Sequence, residues 1–149
     1  MSYEGFLREN LVKKEKPDFK QIAVQLARTE KDIDTAAITL KVDTTWAVTI
    51  AYHAMIRAGR AMMYSMGYLP TAKFTHKTIV EFTKIALGPD YETLVSKFNR
   101  LRKRRHDFIY ESKNHVTSEE AKAAIETAKE MVREIKRLIK ENNPQKGLF

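Results

Sequence analysis

The stretch TWAVTIAYHAMIRAGRAMMYSM, at residues 45–66, decides the fold, because apolar side chains cover most of its circumference when it is drawn as a helix. A helix that is apolar on nearly all sides is buried inside a larger structure. Asp43 or Thr44 can cap its start, and Gly67 lies where helices commonly stop. Its apolar side chains are Trp46, Val48, Ile50, Ala51, Tyr52, Met55, Ile56, Met62, Met63 and Met66. We therefore expect the central helix of the protein here.

Small residues in this helix leave room for a neighbouring helix to approach closely. They are Ala51, Ala54, Ala58, Gly59 and Ala61. The exception to the apolar pattern is a polar stripe at spacings of four, three and four residues, made of His53, Arg57, Arg60 and Tyr64. Side chains at this spacing share one face of a helix. The stripe is either the lining of a cleft or a polar seam that is solvated or lies between helices.

Five further helices surround the central one in the prediction, at about residues 3–13, 17–40, 76–87, 89–111 and 117–141. The apolar stripe of the helix at 17–40 consists of Phe19, Ile22, Val24, Leu26, Ile33, Ala37 and Leu40. Thr75 is expected to cap the helix at 76–87, and Thr117 with Glu120 forms a capping-box pattern. No stretch shows the signal of a β-strand. The predicted fold class is all-α, an antiparallel up-and-down bundle of five to six helices.

The length of 149 residues predicts a single helical domain over residues 1–149. Within it we expect an N-terminal helix and linker at 1–16, a loop at 67–74, a turn at 112–116 and a frayed tail at 142–149. The chain has no cysteine, which excludes disulfides and thiolate sites. It also has no apolar run near the length of a membrane span and no signal-peptide pattern at its start. We expect a soluble, cytoplasmic protein with no membrane partner.

The main concentration of charge is KFNRLRKRRHDFIYE, at residues 97–111, in a chain with a net formal charge of +8. The helix predicted at 89–111 contains this stretch, and its apolar stripe is Tyr91, Leu94, Phe98, Leu101, Phe108 and Ile109. Counting helical steps from Phe98 and Leu101 reaches Arg105, so we expect its guanidinium to face inward, which is costly unless it is paired. The outer arc carries Arg100, Arg102, Lys103 and Arg104. These side chains either bind phosphate or are simply solvated.

Three stretches together resemble the HEPN superfamily of small helical domains: LVSKFNRLRKRRHDFIYES at 94–112, AYHAMIRAGRAMMYSMGYLP at 51–70 and FTHKTIVEF at 74–82. The likeness is to stand-alone archaeal and bacterial members and covers most of the chain. It implies a helical bundle that is often a homodimer. It also implies a minimal nucleotidyltransferase as the partner in a toxin–antitoxin operon, and RNA or a nucleotide as the ligand.

Active members of this family are metal-independent ribonucleases with an arginine, a polar residue and then a histidine after four to six intervening residues. Arg105 and His106 match the first half of this motif, but Tyr110 occupies the position of the histidine. In the other register, Arg100 and His106 have the right spacing, with Leu101 in the polar position. The inward placement expected of Arg105 favours the first register. In some family systems the partner modifies a tyrosine near the motif, which here corresponds to Tyr110.

Three functions remain open from the sequence. The first is a module that binds RNA or a nucleotide phosphate through Arg100, Arg102, Lys103, Arg104 and Arg105. The second is a ribonuclease toxin in which Arg105 stabilises the phosphate and His106 or Tyr110 transfers the proton, because a histidine titrates near neutral pH. The third is a structural interaction domain with no ligand. His76 and His115 receive no role, and we expect no metal and no cofactor.

Overall fold

The computed structural model describes residues 1–110 and 115–144, and within them the chain forms six α-helices, one 3₁₀ turn and two short strands. The helices are α1 (Tyr3–Arg8), α2 (Phe19–Thr39), α3 (Thr44–Ser65), α4 (Thr75–Leu87), α5 (Glu92–Tyr110) and α6 (Ser118–Asn142). The 3₁₀ turn at Pro89–Tyr91 precedes α5, and the strands are β1 (Val12–Lys14) and β2 (Tyr68–Pro70). The predicted all-α bundle of five to six helices is confirmed.

Helix α3 is the centre of the bundle, because it packs against α2, α4, α5 and α6. Its largest fully buried side chains are Tyr52, Met55, Met62 and Met63. Trp46, by contrast, is 61% exposed, although it belongs to the apolar set that marks α3 as central. It lies seven residues before His53, two helical turns away, and so belongs to the same outward face as the polar stripe.

Helix α4 approaches α3 closely at Gly59. A Cβ atom placed on Gly59 would lie 2.6 Å from Cγ2 of Ile79 and 3.2 Å from Oγ1 of Thr83. No side chain fits at the first of these distances, so the two helices can pack this tightly only because residue 59 is glycine. The predicted close approach of a second helix is therefore confirmed, and it carries the start of α4 to the middle of α3.

Side-chain caps set the starts of four helices, α1, α2, α3 and α6, but not of α4. Asp43 Oδ1 accepts a hydrogen bond from the Trp46 amide (3.0 Å), and Thr117 Oγ1 accepts one from the Glu120 amide (3.1 Å), as the sequence predicts. The predicted Thr75 cap is wrong, because the Thr75 hydroxyl donates to the carbonyl oxygen of Thr71 instead (2.7 Å). The preceding loop thus holds that hydroxyl, and α4 begins with no side-chain cap.

The two strands form an antiparallel pair that the sequence did not predict. Val12 lies opposite Pro70, and Lys14 lies opposite Tyr68. The first helix therefore ends at Arg8 rather than near residue 13, and Asn10, with a positive φ of 58°, turns the chain into β1. The pair ties the N-terminal segment to the connection between α3 and α4.

Two smaller expectations also differ from the structure. Val24 was placed in the apolar stripe of α2, but it is 64% exposed, since it lies two residues from both Ile22 and Leu26 and so points away from their face. Asn143, in the predicted tail, is buried directly after α6. The rest of that tail from residue 145, and residues 111–114 of the α5–α6 connection, lie outside the described residues.

Candidate nucleic-acid interface

The basic residues of α5 do not form one surface, because successive residues of a helix point about 100° apart. Lys97, Arg100 and Arg104 line a groove shared with α6. Arg102 and Lys103 line a different groove, shared with α4. The sequence suggested a single phosphate-binding arc on this helix. In the structure, these basic residues are divided between two sides of α5.

On the α6 side, the basic residues face carboxylates. Arg104 Nη1 lies 2.7 Å from Oε1 of Glu120, and its guanidinium carbon lies 5.9 Å from the centre of the Phe108 ring. Glu126 and Glu130 line the same groove. Because these acids offset the basic charge, Arg104 serves chiefly to hold α5 against α6, and this groove has little attraction for phosphate.

On the α4 side, basic residues outnumber acidic ones. The groove encloses about 420 Å³ and contains four basic side chains, Lys77, Lys84, Arg102 and Lys103, and two acidic ones, Glu81 and Glu92. Arg102 Nε donates a hydrogen bond to Oδ1 of Asn99 (3.0 Å), which fixes the direction of its side chain. No salt bridge within the described residues neutralises Arg102, so its charge is available to an anion.

Arg105 is exposed, so its expected inward placement is wrong. Leu101 and Phe108 on either side of it are buried, and a long arginine side chain can leave the edge of such an apolar face for solvent. In the part of the chain that the structure describes, Arg105 makes no salt bridge and no hydrogen bond through its side chain. Its guanidinium is therefore free to bind an external anion.

Beside Arg105 lies a pair of side chains that sequence reasoning missed. The Tyr52 hydroxyl lies 2.8 Å from Nδ1 of His76 in the first turn of α4, and the His53 ring is centred 6.2 Å from the His76 ring. Tyr52 and His76 are 24 residues apart and meet because α4 packs tightly on α3. No spacing in the sequence signals this contact. We refer to Tyr52, His53, His76, Arg102 and Arg105 as the arginine–histidine cluster.

The charge of Arg105 acts on every titratable member of this cluster. Burial lowers the pKa of both His53 and His76, and the positive charge of Arg105 is the next cause in each case. Burial raises the pKa of Tyr52, while Arg105 and then Arg102 oppose that rise. Electrostatic effects of this kind weaken with distance, so the guanidinium of Arg105 lies near enough for its charge to act on all three rings. At neutral pH the cluster therefore holds two cationic arginines and two neutral histidines.

The polar stripe of α3 lines a separate pocket of about 500 Å³ between α2, α3 and the strand pair. All four of its residues, His53, Arg57, Arg60 and Tyr64, lie in the lining. Arg57 Nη1 donates to Oε1 of Gln25 (2.8 Å), and its Nε lies 3.6 Å from Oδ2 of Asp32. His53 also belongs to the arginine–histidine cluster, so the two regions are neighbours along α3.

A sequence model of the HEPN domain matches residues 23–138, well over half of the chain. The chain belongs to the HEPN family. The match runs from α2 to near the end of α6 and so includes the arginine–histidine cluster. No curated protein shows significant sequence similarity to it.

In this HEPN domain, the two consecutive motif residues Arg105 and His106 have different surroundings. The His106 ring is centred 5.0 Å from the ring of Tyr110, one helical turn later, and Tyr110 is 69% exposed. Arg105 instead acts on His53 and His76, which come from α3 and α4. The histidines that accompany Arg105 in space are therefore not the one that follows it in the sequence.

Neither a metal site nor a membrane span is found in the described part of this HEPN domain. Across residues 1–110 and 115–144, no three histidine or acidic side chains converge in a way that could hold a metal ion. No helix in the same residues is long and apolar enough to cross a membrane.

Proposed function

We propose that this HEPN protein binds RNA, and that a backbone phosphate binds at Arg105 and Arg102 beside His76. The observation that carries the proposal is the state of Arg105, which is exposed and unpaired among the described residues and whose charge acts on His53 and His76, both neutral at pH 7. An arginine fork matches the oxygens of a phosphate and binds them through two hydrogen bonds at once.

The contact with Tyr52 gives His76 a definite role in this site. The Tyr52 phenol keeps its proton at neutral pH, and we assign it as the donor to Nδ1 of His76, because the hydroxyl has no other hydrogen-bond partner among the described residues. A neutral imidazole that accepts at Nδ1 carries its own proton on Nε2. His76 then offers an N–H group to a phosphate oxygen without adding a second full charge.

The groove between α4 and α5 extends the surface available to an RNA strand. Lys77, Lys84 and Lys103 lie along it together with Arg102. Basic side chains in a groove bind the RNA backbone without sequence preference and release counterions, so the affinity falls as the salt concentration rises. A homodimer and a minimal nucleotidyltransferase partner, as in toxin–antitoxin members of the family, complete the proposal and rest on the family resemblance alone.

A metal-independent ribonuclease is the second candidate function, and it is favoured by the two neutral histidines near Arg105. Cleavage without a metal needs a base for the 2′-hydroxyl proton and a cation for the charge that develops on the phosphate. His53 and His76 supply candidate bases, in addition to His106 and Tyr110 from the sequence motif. Incubation of the protein with mixed cellular RNA in chelator, beside Arg105→Ala, His76→Ala and His106→Ala, tests for cleavage and for the base.

The experiment for binding measures fluorescence anisotropy of a labelled single-stranded RNA at several salt concentrations. Arg105→Ala should weaken binding and reduce the slope of log K against log salt by roughly 0.7, the value of one phosphate contact on a single strand. Arg100→Ala is the matched control, because it removes the same charge from the same helix on the side facing α6. Equal losses in both variants would contradict the site, and no binding by the wild type would leave the structural-domain alternative.

A further inference from the structure

The pocket between α2, α3 and the strand pair has the size and lining of a small-molecule site. Its volume of about 500 Å³ falls within the range of roughly 300–1,000 Å³ that is typical of ligand pockets. Ile56 and Leu69 supply apolar surface, while Gln21, Arg60 and Tyr64 supply polar groups. The lining is mixed, with seven polar or charged side chains and four apolar ones, and a pocket of this size suits a compact organic molecule better than it suits a polymer backbone.

Two arginines give this pocket its positive charge, and they differ in whether the guanidinium is still available to bind a ligand. Arg57 is held by Gln25 and shares its charge with Asp32, although its buried Nε has no hydrogen-bond partner. Arg60 is exposed and makes no salt bridge or hydrogen bond through its side chain with any described residue. An unused guanidinium at the edge of a pocket is a typical binding group for a carboxylate.

The balance of positive and negative charge in the pocket indicates which class of anion it can bind. Asp32 already faces Arg57 and Arg28, and Glu15 lies in the lining without a salt bridge to either pocket arginine. His53 is neutral at pH 7 because its pKa is lowered. Arg60 is thus the one pocket cation with no carboxylate partner among the described residues. That balance suits a monoanion and disfavours the second negative charge of a phosphate monoester.

From these observations we infer that the pocket binds a small organic monocarboxylate, with the carboxylate on Arg60 and the apolar body against Ile56 and Leu69. Tyr64 and Gln21 are available to hydrogen-bond a polar substituent on that body. This inference does not rest on the proposed binding of RNA, because it uses neither Arg102 nor Arg105.

The test uses 3-phenylpropionate as the probe, followed by amide chemical shifts in an NMR titration of the whole chain at pH 7. We expect saturable shifts at α2 and α3 residues of the pocket, with a dissociation constant on the order of millimolar for a ligand of about eleven non-hydrogen atoms. The uncharged 3-phenylpropionamide has nearly the same shape and should bind at least about tenfold more weakly. Phenyl phosphate, the dianionic comparison, should also bind more weakly.

Amino-acid substitutions in the protein test where the carboxylate of the ligand binds. Arg60→Gln removes an exposed side chain with no described partner, so the fold should be intact, and affinity for 3-phenylpropionate should fall about tenfold or more. Lys31→Gln removes one charge from α2 outside the pocket and should change nothing. Arg105→Ala should lose RNA and keep 3-phenylpropionate, which separates this site from the RNA site. Absence of saturable binding, equal binding of the amide or of phenyl phosphate, or full affinity in Arg60→Gln would each overturn the inference.

Discussion

The hydroxyl of Tyr52 lies 2.8 Å from Nδ1 of His76, and this contact joins the buried middle of α3 to the first turn of α4. Tyr52 is fully buried, whereas His76 is half-buried and lies at the edge of the surface that carries Arg105. A core residue thereby fixes the orientation of a histidine that faces solvent. In this account, the packing of the bundle determines which hydrogen atom His76 offers to a ligand.

Tyr52→Phe tests that link directly. The substitution keeps the ring in the core but removes the donor to His76, so we expect a loss of about 1 kcal/mol in the free energy of unfolding, the usual net value of one hydrogen bond. RNA binding should weaken several-fold, because Nε2 of His76 is no longer held in its protonated tautomer. Urea unfolding measures the loss of stability, and fluorescence anisotropy measures RNA binding. The ¹⁵N shifts of the imidazole report the tautomer of His76. An unchanged tautomer would contradict the assigned role of Tyr52.

Stability should fall as the solution becomes acidic. The pKa values of His53 and His76 in the folded protein lie below the ordinary value of about 6.5, so the unfolded chain binds more protons in that window. The contribution of the two histidines is complete above about pH 6.5 and is lost as pH falls through their folded pKa values. Urea midpoints between pH 7.5 and pH 5 measure this. His76→Gln should flatten the profile.

The helical bundle could be predicted from the sequence, because the apolar pattern that marks a helix lies within that helix. The apolar pattern of residues 45–66 marked α3 as central, and the small residues around Gly59 correctly predicted a close neighbour. The pairing of β1 with β2 could not be predicted, since strands of three residues show no useful alternation and their register depends on contacts far apart in the chain. Trp46 was wrongly counted with the apolar side chains that mark α3 as buried. A single apolar side chain can lie on an exposed face, because the cost in free energy is too small to exclude it.

The candidate site was predictable only in part, for a related reason. The polar stripe of α3 follows from helical spacing within one element, and the pocket lining contains all of it. His76 was missed because its neighbours Tyr52 and Arg105 belong to other helices. Helical counting also put Arg105 on the buried side, but counting assigns a direction to Cβ and not to a guanidinium several bonds away.

Gly59→Ala should destabilise the protein, although alanine is the better helix former. Helix propensity alone favours alanine by about 1 kcal/mol, but the new methyl group would meet Cγ2 of Ile79. Overpacking of this kind costs roughly 1–3 kcal/mol, so the net change should be a loss of up to about 2 kcal/mol. Thermal or urea unfolding decides the sign. A more stable variant would mean that α4 can move away from α3 without cost.

Arg104 and Glu120 should behave as a structural pair and not as part of the RNA site. Their side chains are about one-third and one-quarter exposed and join α5 to α6 at 2.7 Å. We expect Arg104→Ala to lower the free energy of unfolding by about 1 kcal/mol, with a positive coupling to Glu120→Ala in a double-mutant cycle. RNA affinity, measured where the variant is fully folded, should change less than in Arg105→Ala. A larger loss of RNA binding in Arg104→Ala would place the phosphate on the other side of α5.

The measurement that tests the central claim most directly is an NMR titration of His53 and His76 with and without single-stranded RNA. A phosphate bound at Arg105 places negative charge beside both imidazoles, so we expect the pKa of each histidine to rise when RNA is bound. In Arg105→Ala the rise should disappear. If RNA binds while the pKa values of His53 and His76 stay the same, the phosphate lies elsewhere and the arginine–histidine cluster is not the site.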